Sequence, residues 1–341
     1  MKRALSMLLV ILTLITLAGC GNKSANTSIT KIRFNETVHS VFYAPHYAAL
    51  EKGFYADEGL ELSIDVAQGS DKCMTALLSN NADIVLLGPE TGIFVYNEGK
   101  KNDKNFSDTP IIFAQCTRRA GNFLVSRTND MNFQWSDVRG KTIIGGRSYG
   151  MPQMVLEYIL RNNDIIPGVD TEIITSLDFP STAGAFIGGA GDYTVEFEPS
   201  ATGIENEGRG YVVASLGAEV QVPYTVFMAT PKYLKENPDI IQKFTNAVYR
   251  GEQWVSNNSA KDVAEAIQPQ FSDFSIADLT KIIERYKSVD TWNTDPILKE
   301  EDFNLLQDIM IEGNAMSERV PYNVIVNNKF AEKAIRNVKI D

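Results

Sequence analysis

Residues 39–62 read HSVFYAPHYAALEKGFYADEGLEL, and the parsing of the whole chain turns on them. The stretch carries both histidines of the protein, His39 and His46, with Phe42, Tyr43, Tyr47, Phe54 and Tyr55 around them. Pro45 is placed to open a helix, since proline at the first helical position gives up only an amide that has no intrahelical partner. A helix starting there leaves His39 outside it and off the face of His46. A metal site would then need ligands from elsewhere in the chain. Core packing, a satisfied surface histidine and a contact from His39 to a bound solute all remain open on this stretch alone.

On either side, short β-like runs alternate with helical patterns. IRFN (32–35), LSIDVA (62–67), DIVLLG (83–88) and PIIFAQC (110–116) are rich in branched apolar residues. Helical candidates lie near 46–53, 70–79 and 90–98. That rhythm predicts a mainly parallel sheet covered by helices. A second series follows: FLVSR (123–127), TIIGG (142–146), TEIITSL (171–177), TVEF (194–197) and YVVASL (211–216), with helices near 150–162, 181–188 and 199–207. Beyond residue 230 the pattern becomes helical. Thr230 and Asn237 each precede a proline, as capping residues do, and Ile240, Ile241, Phe244 and Val248 mark one buried face that Trp254 extends. Further helices are expected near 275–287, 299–313 and 328–337. The fold class is therefore α/β with two lobes and a helical C-terminal tail. VPYTVFMAT (222–230) returns the chain to the first lobe, and crossings near 116–120 and 220–224 make a hinge. Lobe 1 is expected over 31–117 plus 223–341, and lobe 2 over 118–222.

The N-terminus bears on compartment. Lys2 and Arg3 precede an apolar run, Leu5 to Leu17, too short for a span of about 20 residues. LAGC follows, and it resembles a bacterial lipobox. Residues 1–19 read as a secretory signal peptide. Cys20 reads as the lipid anchor that holds the chain outside the cell membrane, with 20–30 as a tether. Loss of Lys2 and Arg3 takes the formal charge from −11 to −13. No basic block exists, which argues against nucleic acid as a partner. Cys73 and Cys116 are expected as buried free thiols, since neither has a CxxC partner for redox or zinc chemistry.

Open α/β sheets bind ligands beyond the carboxyl ends of their strands, so the loops there are the candidates. After the first strand come His39, Phe42 and Tyr43. After LSIDVA, Ser70 or Asp71 can cap a helix whose amides face the cleft. GPETG supplies Glu90 and Thr91. Gln115 and Tyr224 stand near the two crossings. In the second lobe, Arg147, Ser148 and Tyr149 precede a helix, where an arginine, a hydroxyl and free amides can hold a carboxylate, sulfonate or phosphate. The other reading leaves Arg147 solvated over a tight βα turn. Glu196 and Glu198 lie on one strand face but too close together for an inverting acid–base pair. Glu198 stands between a ligand contact and a solvated acidic turn. For Phe42, Tyr43 and Tyr149, core packing and ligand stacking are both open. No GxSxG, HExxH or Ser–His–Asp set can be assembled.

Taken together, LAGC, VFYAPHYAALEKGFYADEGLEL, the ADIVLLGPE stretch and FEPSAT…EGRGYVVASL resemble a known family. It is the group of ABC-transporter solute-binding lipoproteins of nitrate/sulfonate/taurine type or thiamine-pyrimidine-precursor (NMT1/THI5-like) type. The resemblance spans nearly the whole chain after the leader, and Ala49 to Leu60 is its most specific mark. It implies a type II periplasmic-binding-protein fold closing on a small organic solute. That solute would be either a sulfonate- or nitrate-like anion or a pyrimidine-like heterocycle. It further implies a permease and its ATPase as partners, a monomer, no cofactor and no metal, and no enzymatic activity. The matching positions are His39 to Tyr43, Ser70, Glu90, Thr91, Arg147 to Tyr149, and Glu198. Phe197 replaces a tryptophan of the family's motif, and the cysteine-rich motif of its synthase branch is missing. The rival expectations are an extracellular enzyme and a metal-binding lipoprotein.

Overall fold

A computed structural model describes residues 29–339. The expected signal peptide, the Cys20 anchor and nearly all of the tether lie outside the described residues. Within them, ten strands form two five-stranded sheets. The first contains β1 (Thr30–Glu36), β2 (Leu60–Val66), β3 (Ile84–Leu87), β4 (Ile111–Arg119) and β10 (Gln221–Ala229), in the order β2-β1-β3-β10-β4. The second contains β5 (Asn122–Ser126), β6 (Thr142–Ile144), β7 (Glu172–Ile174), β8 (Tyr193–Phe197) and β9 (Tyr211–Ser215), in the order β7-β6-β8-β5-β9.

The strands read as the sequence periodicity requires. β1 alternates, turning Ile32, Phe34 and Glu36 inward, whereas all four residues of β3 are buried, as befits a parallel strand covered on both faces. β10 lies antiparallel between β3 and β4, pairing Val226 with Leu87 on one side and with Gln115 on the other. The return of VPYTVFMAT to the first sheet is therefore observed.

Two ribbons join the sheets. β4 leads through Ala120 and Gly121 into β5, and β9 leads through a short helix, Leu216–Glu219, into β10. These ribbons stay paired across the junction, with Gln221 against Arg119 in one sheet and Phe123 against Ser215 in the other. Gly121 is required where they cross, because a Cβ there would enter the Phe42 ring. The opening stretch now resolves: Val41–Tyr43 is a single 3-10 turn, Ala44–Glu51 a helix with proline in its first turn, and Phe54–Asp57 a further short helix.

The core of the first lobe is aromatic. Phe34 stacks on His46 and on Phe244, and Phe227 meets Phe244 edge-on. Phe244 comes from the long helix Pro238–Asn257, whose inner face carries Ile241, Phe244 and Val248 as the spacing predicts, while Ile240 and Trp254, expected on the same face, are only half-buried. Its expected cap, Asn237, makes no capping bond and instead donates from Nδ2 to Tyr233 O; Thr230 does cap, accepting from Tyr233 N at 3.1 Å. Cys73 and Cys116 are buried and free, and burial pushes the Cys73 thiol up to about 12.

Candidate functional site

The loops after the strands converge. Thr37 directly follows β1, Ser70 opens the helix Ser70–Leu78 after β2, and Gly88 follows β3. One hydroxyl ties them: Ser70 Oγ lies 3.2 Å from Thr37 Oγ1 and accepts from Gly88 N at 3.3 Å. Ser70 is thus the first residue of its helix and not its cap; Gly69 holds the cap position. Gly69 is needed because a Cβ would stand 2.7 Å from the Arg147 guanidinium and 2.6 Å from Asp71 Oδ1. Across from these loops, the second sheet presents Arg147 to Tyr149 before the helix Met151–Asn162, Phe179 at the start of Phe179–Ile187, and Phe197 at the end of β8.

Between the two sets lies a cavity of about 150 Å³. One water needs about 10–15 Å³ on this measure, so the space suits a compact organic molecule of roughly ten non-hydrogen atoms. Six aromatic residues stand in its walls: Tyr43, Phe94, Tyr149, Phe179, Phe197 and Tyr224. Phe179 meets Phe197 edge-on at 5.7 Å, and Phe197 approaches Tyr224 at 6.3 Å. Rings at these positions offer flat faces to a planar guest.

Polar side chains share the walls with the rings. Thr91 Oγ1 donates to Gly88 O at 2.7 Å, Ser148 Oγ to Thr175 Oγ1 at 2.9 Å, and Tyr224 OH to Asn122 Oδ1. Tyr149 is held at φ +61°, where a non-glycine backbone is strained, with its amide donating to Gln153 Oε1 at 2.8 Å. Glu90 begins the helix Glu90–Asn102 and is only 2% exposed. Its Oε2 has no hydrogen-bond partner, and burial, with the nearby Asp71 charge, pushes its carboxyl up to about 8.

Arg147 is already engaged. Its Nη1 and Nη2 donate to Asp71 at 2.6 and 3.0 Å, and its Nε lies 3.3 Å from Asp178. Lys72 reaches Asp178 at 3.5 Å. Asp71 and Lys72 belong to the Ser70–Leu78 helix beside the first sheet, and Arg147 and Asp178 to loops of the second. The four charges therefore bridge the two sides at the mouth of the cavity.

Of the residues singled out in the sequence, Tyr43, Ser70, Glu90, Thr91, Arg147, Ser148, Tyr149 and Tyr224 line the cavity. Four others are placed elsewhere. His39 donates from Nδ1 to Glu36 and from Nε2 to Gln270 O, both at 2.9 Å, and stacks on Phe271. With acceptors on both nitrogens its pKa is raised, first by the Glu36 bond, so the charged ring is a structural clamp. Phe42 is fully buried among Tyr43, Phe197, Tyr224 and Tyr286, a packing residue behind the wall. Gln115 donates to Thr117 O within β4. Glu198 accepts from Thr202 N at 2.9 Å, Thr202 Oγ1 at 3.0 Å and Arg285 Nη1 at 2.8 Å, and is neither solvated nor at the cavity. His46, stacked on Phe34 and bonded to Tyr55 OH, is core, and burial lowers its pKa to about 3.

Sequence reasoning missed Thr37, Phe94 and Met151, and gave Phe179 and Phe197 no firm role. Thr37 and Phe179 obey the strand-end rule that found the others, whereas Phe94 sits one helical turn beyond Glu90 and carries no signal of its own. Among the described residues, no group of three His, Cys, Asp or Glu side chains converges as metal ligands would, and no helix is long and apolar enough to cross a membrane.

Two α/β lobes joined by paired ribbons and meeting on a cavity constitute the periplasmic-binding-protein fold. The chain belongs to the NMT1/THI5 like family, which matches residues 41–261. It is 44% identical over 324 residues to the putative binding protein YtlA of Bacillus subtilis (strain 168), covering 95% of this chain and 94% of that one. Its structure is similar to the periplasmic nitrate-binding protein NrtA from Synechocystis PCC 6803, with TM-score 0.69 and 16% identity over 92% of this chain and 90% of that one. It is also similar to the alkanesulfonate-binding protein SsuA from Xanthomonas axonopodis pv. citri bound to MOPS, with TM-score 0.68 and 13% identity over 87% and 98%.

Proposed function

We propose that the chain is the extracytoplasmic solute-binding component of an ABC importer, taking a small organic solute between its lobes for delivery to a permease and its ATPase. The observation that carries this reading is the cavity, with six aromatic residues in its walls, at the junction of the strand-end loops of both sheets. The named relatives, a binding protein at 44% identity and two transport-type binding proteins of the same fold, support it further.

In this reading residues 31–117 with 223–341 form one moving body and 118–222 the other. The solute favours the closed arrangement and so shifts the population toward it. Residues 1–19 are removed as a signal peptide, a lipid on Cys20 holds the chain at the outer face of the cell membrane, and the protein acts as a monomer. Tyr43, Ser70, Glu90, Thr91, Ser148, Tyr149 and Tyr224 face the solute. A thermal-shift screen of small solutes, with mass spectrometry of what co-purifies, tests the proposal. A raised melting temperature with the compound recovered unchanged is expected; turnover of the compound, or no shift by any small solute, overturns it.

A further inference from the structure

The helix Ala44–Glu51 starts beside Tyr43 of the cavity and ends, at the far pole of the first lobe, on a further recess of about 300 Å³. The walls of this recess include Lys52, Arg250 and Lys339 with the rings of Phe54 and Trp254, and no aspartate or glutamate. The Lys52 ammonium stands 5.1 Å from the centre of the Trp254 ring, and the Arg250 guanidinium 4.1 Å from that of Phe54. Asp57 answers Arg250 at 2.9 Å, and Glu58 accepts from Asn246 and faces Lys243. Among the described residues no carboxylate lies within 4.0 Å of the Lys52 or Lys339 ammonium, and both lysines are exposed. In a chain of formal charge −11 this is a local exception. Charges farther off than about 8 Å are largely screened at physiological salt, so an approaching anion meets the recess and not the total.

The recess lies where the chain leaves the fold toward its N-terminus. Thr30, the first residue of β1, donates its amide to Gly59 O at 2.9 Å, just after the helix Phe54–Asp57 that supplies Phe54 and Asp57. Thr37, past the other end of β1, lines the cavity. Recess and cavity therefore lie at opposite ends of the strand, about 20 Å apart along it. Thr30 is ten positions beyond Cys20, a separation of at most about 35 Å in a fully extended chain.

We infer that this recess docks the phosphate of an anionic phospholipid, so that the tethered protein rests on its membrane by the pole opposite the cleft and keeps the cleft turned to the medium. The inference rests on the reading of Cys20 as a lipid anchor and deepens it. Lysines beside aromatic rings suit the boundary of a bilayer, where rings settle at headgroup depth and ammonium groups reach the phosphates. A short tether holds the recess near the leaflet at an effective concentration of about millimolar, so a contact too weak for an untethered protein is enough. Each lysine near an anionic leaflet favours the docked pose by about fivefold.

The test uses the chain that begins at Cys20, which keeps every described residue, coupled through that thiol to a maleimide lipid in vesicles; Cys73 and Cys116 are buried. An amine-reactive reagent, read by mass spectrometry of the digested protein, reports lysine exposure on vesicles of phosphatidylcholine alone and on vesicles that also contain phosphatidylglycerol. The expected result is a loss of labelling of about fivefold or more at Lys52 and Lys339 on the anionic vesicles alone, reversed as salt nears molar, where the screening length is about 3 Å. Lys100, Lys101 and Lys104, which line a separate recess with Arg319, should label equally on both. Equal labelling of Lys52 and Lys339 on the two kinds of vesicle overturns the inference, and so does protection of the other three lysines in their place. Glycerol phosphate in solution that protects Lys52 and Lys339 to the same extent on phosphatidylcholine vesicles also overturns it, by giving the recess to a soluble anion. Lipidation of Cys20 is read separately, from the mass of the N-terminal peptide of protein taken from its native membrane, so failure of the anchor reading is told apart from failure of the docking contact.

Discussion

Replacing Arg147 with alanine separates a guanidinium that holds the lobes shut from one that holds the solute. In the structure its two cross-cleft bonds run to Asp71, at 2.6 and 3.0 Å, while the Asp178 contact stays on its own side. The Arg147 side chain is 31% exposed and the Asp71 side chain 56%, so the pair is screened and belongs among surface ion pairs. Such pairs contribute about 0.2–1 kcal/mol, and the bidentate geometry places this one near the upper end. About 1 kcal/mol is about a fivefold change in the closed population. A solute that binds only the closed form should therefore bind up to about fivefold more weakly to Arg147→Ala. The loss should shrink as salt rises toward molar concentrations, where the screening length is about 3 Å. Titration calorimetry on the wild type, Arg147→Ala, Asp71→Asn and the double variant completes a cycle, in which Asp71→Asn should reproduce most of the effect. A loss of a hundredfold or more in Arg147→Ala, with Asp71→Asn nearly silent, would refute the reasoning and make Arg147 a direct ligand of an anion.

Glu198→Ala should lower stability by about 3 kcal/mol in urea unfolding, since it leaves the partly buried Arg285 with Glu205 as its one carboxylate and strands Thr202 N without an acceptor. Glu90 is raised from 4.5 to about 8 in the fold, chiefly by burial. Its contribution to stability is thus full below 4.5 and is lost as pH rises through about 8, because the folded state alone keeps the proton. Without solute, Glu90→Gln should gain in melting temperature relative to the wild type from about pH 5 to about pH 8, then level off; a constant difference across that range would contradict the raised carboxyl. Gly251→Ala should lower the unfolding free energy measured in urea by about 1–3 kcal/mol through overpacking, which exceeds the gain of about 1 kcal/mol in helix propensity. A Cβ there would lie 2.9 Å from Ala49 Cβ and press on Pro45 O, where Pro238–Asn257 crosses Ala44–Glu51.

Much of the fold was legible because period and punctuation agree in this chain. β3 reads as an unbroken apolar run and is buried throughout, and Ile241, Phe244 and Val248 fall on one helical face as their spacing demands. The crossings were expected at 116–120 and 220–224 and are found at 120–121 and 216–220, since β4 continues through Thr117, Arg118 and Arg119 before it leaves the sheet. The strand-end rule located cavity residues wherever the loop is short, as at Ser70, Glu90 and Ser148. It misjudged His39 and Glu198, whose fates depend on partners remote in sequence. Gln270 is 231 residues from His39, and Arg285 is 87 residues from Glu198. No local pattern announces such a partner. Arg147 is the instructive case: its place was readable, but its saturation by Asp71 and Asp178 is a property of two loops meeting.

The contacts between the lobes differ in kind from one side of the cavity to the other, and the difference bears on how the cleft works. Beside the ribbons they are buried: Ser40 Oγ donates to Glu198 O at 2.5 Å, Tyr286 OH to Gly121 O at 2.9 Å, and Arg285 pairs with Glu198 at 2.8 Å. Breaking any of these strands a polar group away from water, so this side resists separation. At the mouth the contacts are the partly exposed ion pairs of Arg147 and Lys72, which water and salt replace at small cost. In the solute-binding reading, a body fixed along one edge and weakly latched along the other opens as a jaw, about the edge that carries β4–β5 and β9–β10. The latch alone contributes only about 1 kcal/mol, too little to hold the empty cleft shut against the roughly 5.5 kcal/mol that separates a 1:99 from a 99:1 population. In the solute-binding reading the remainder comes from the guest.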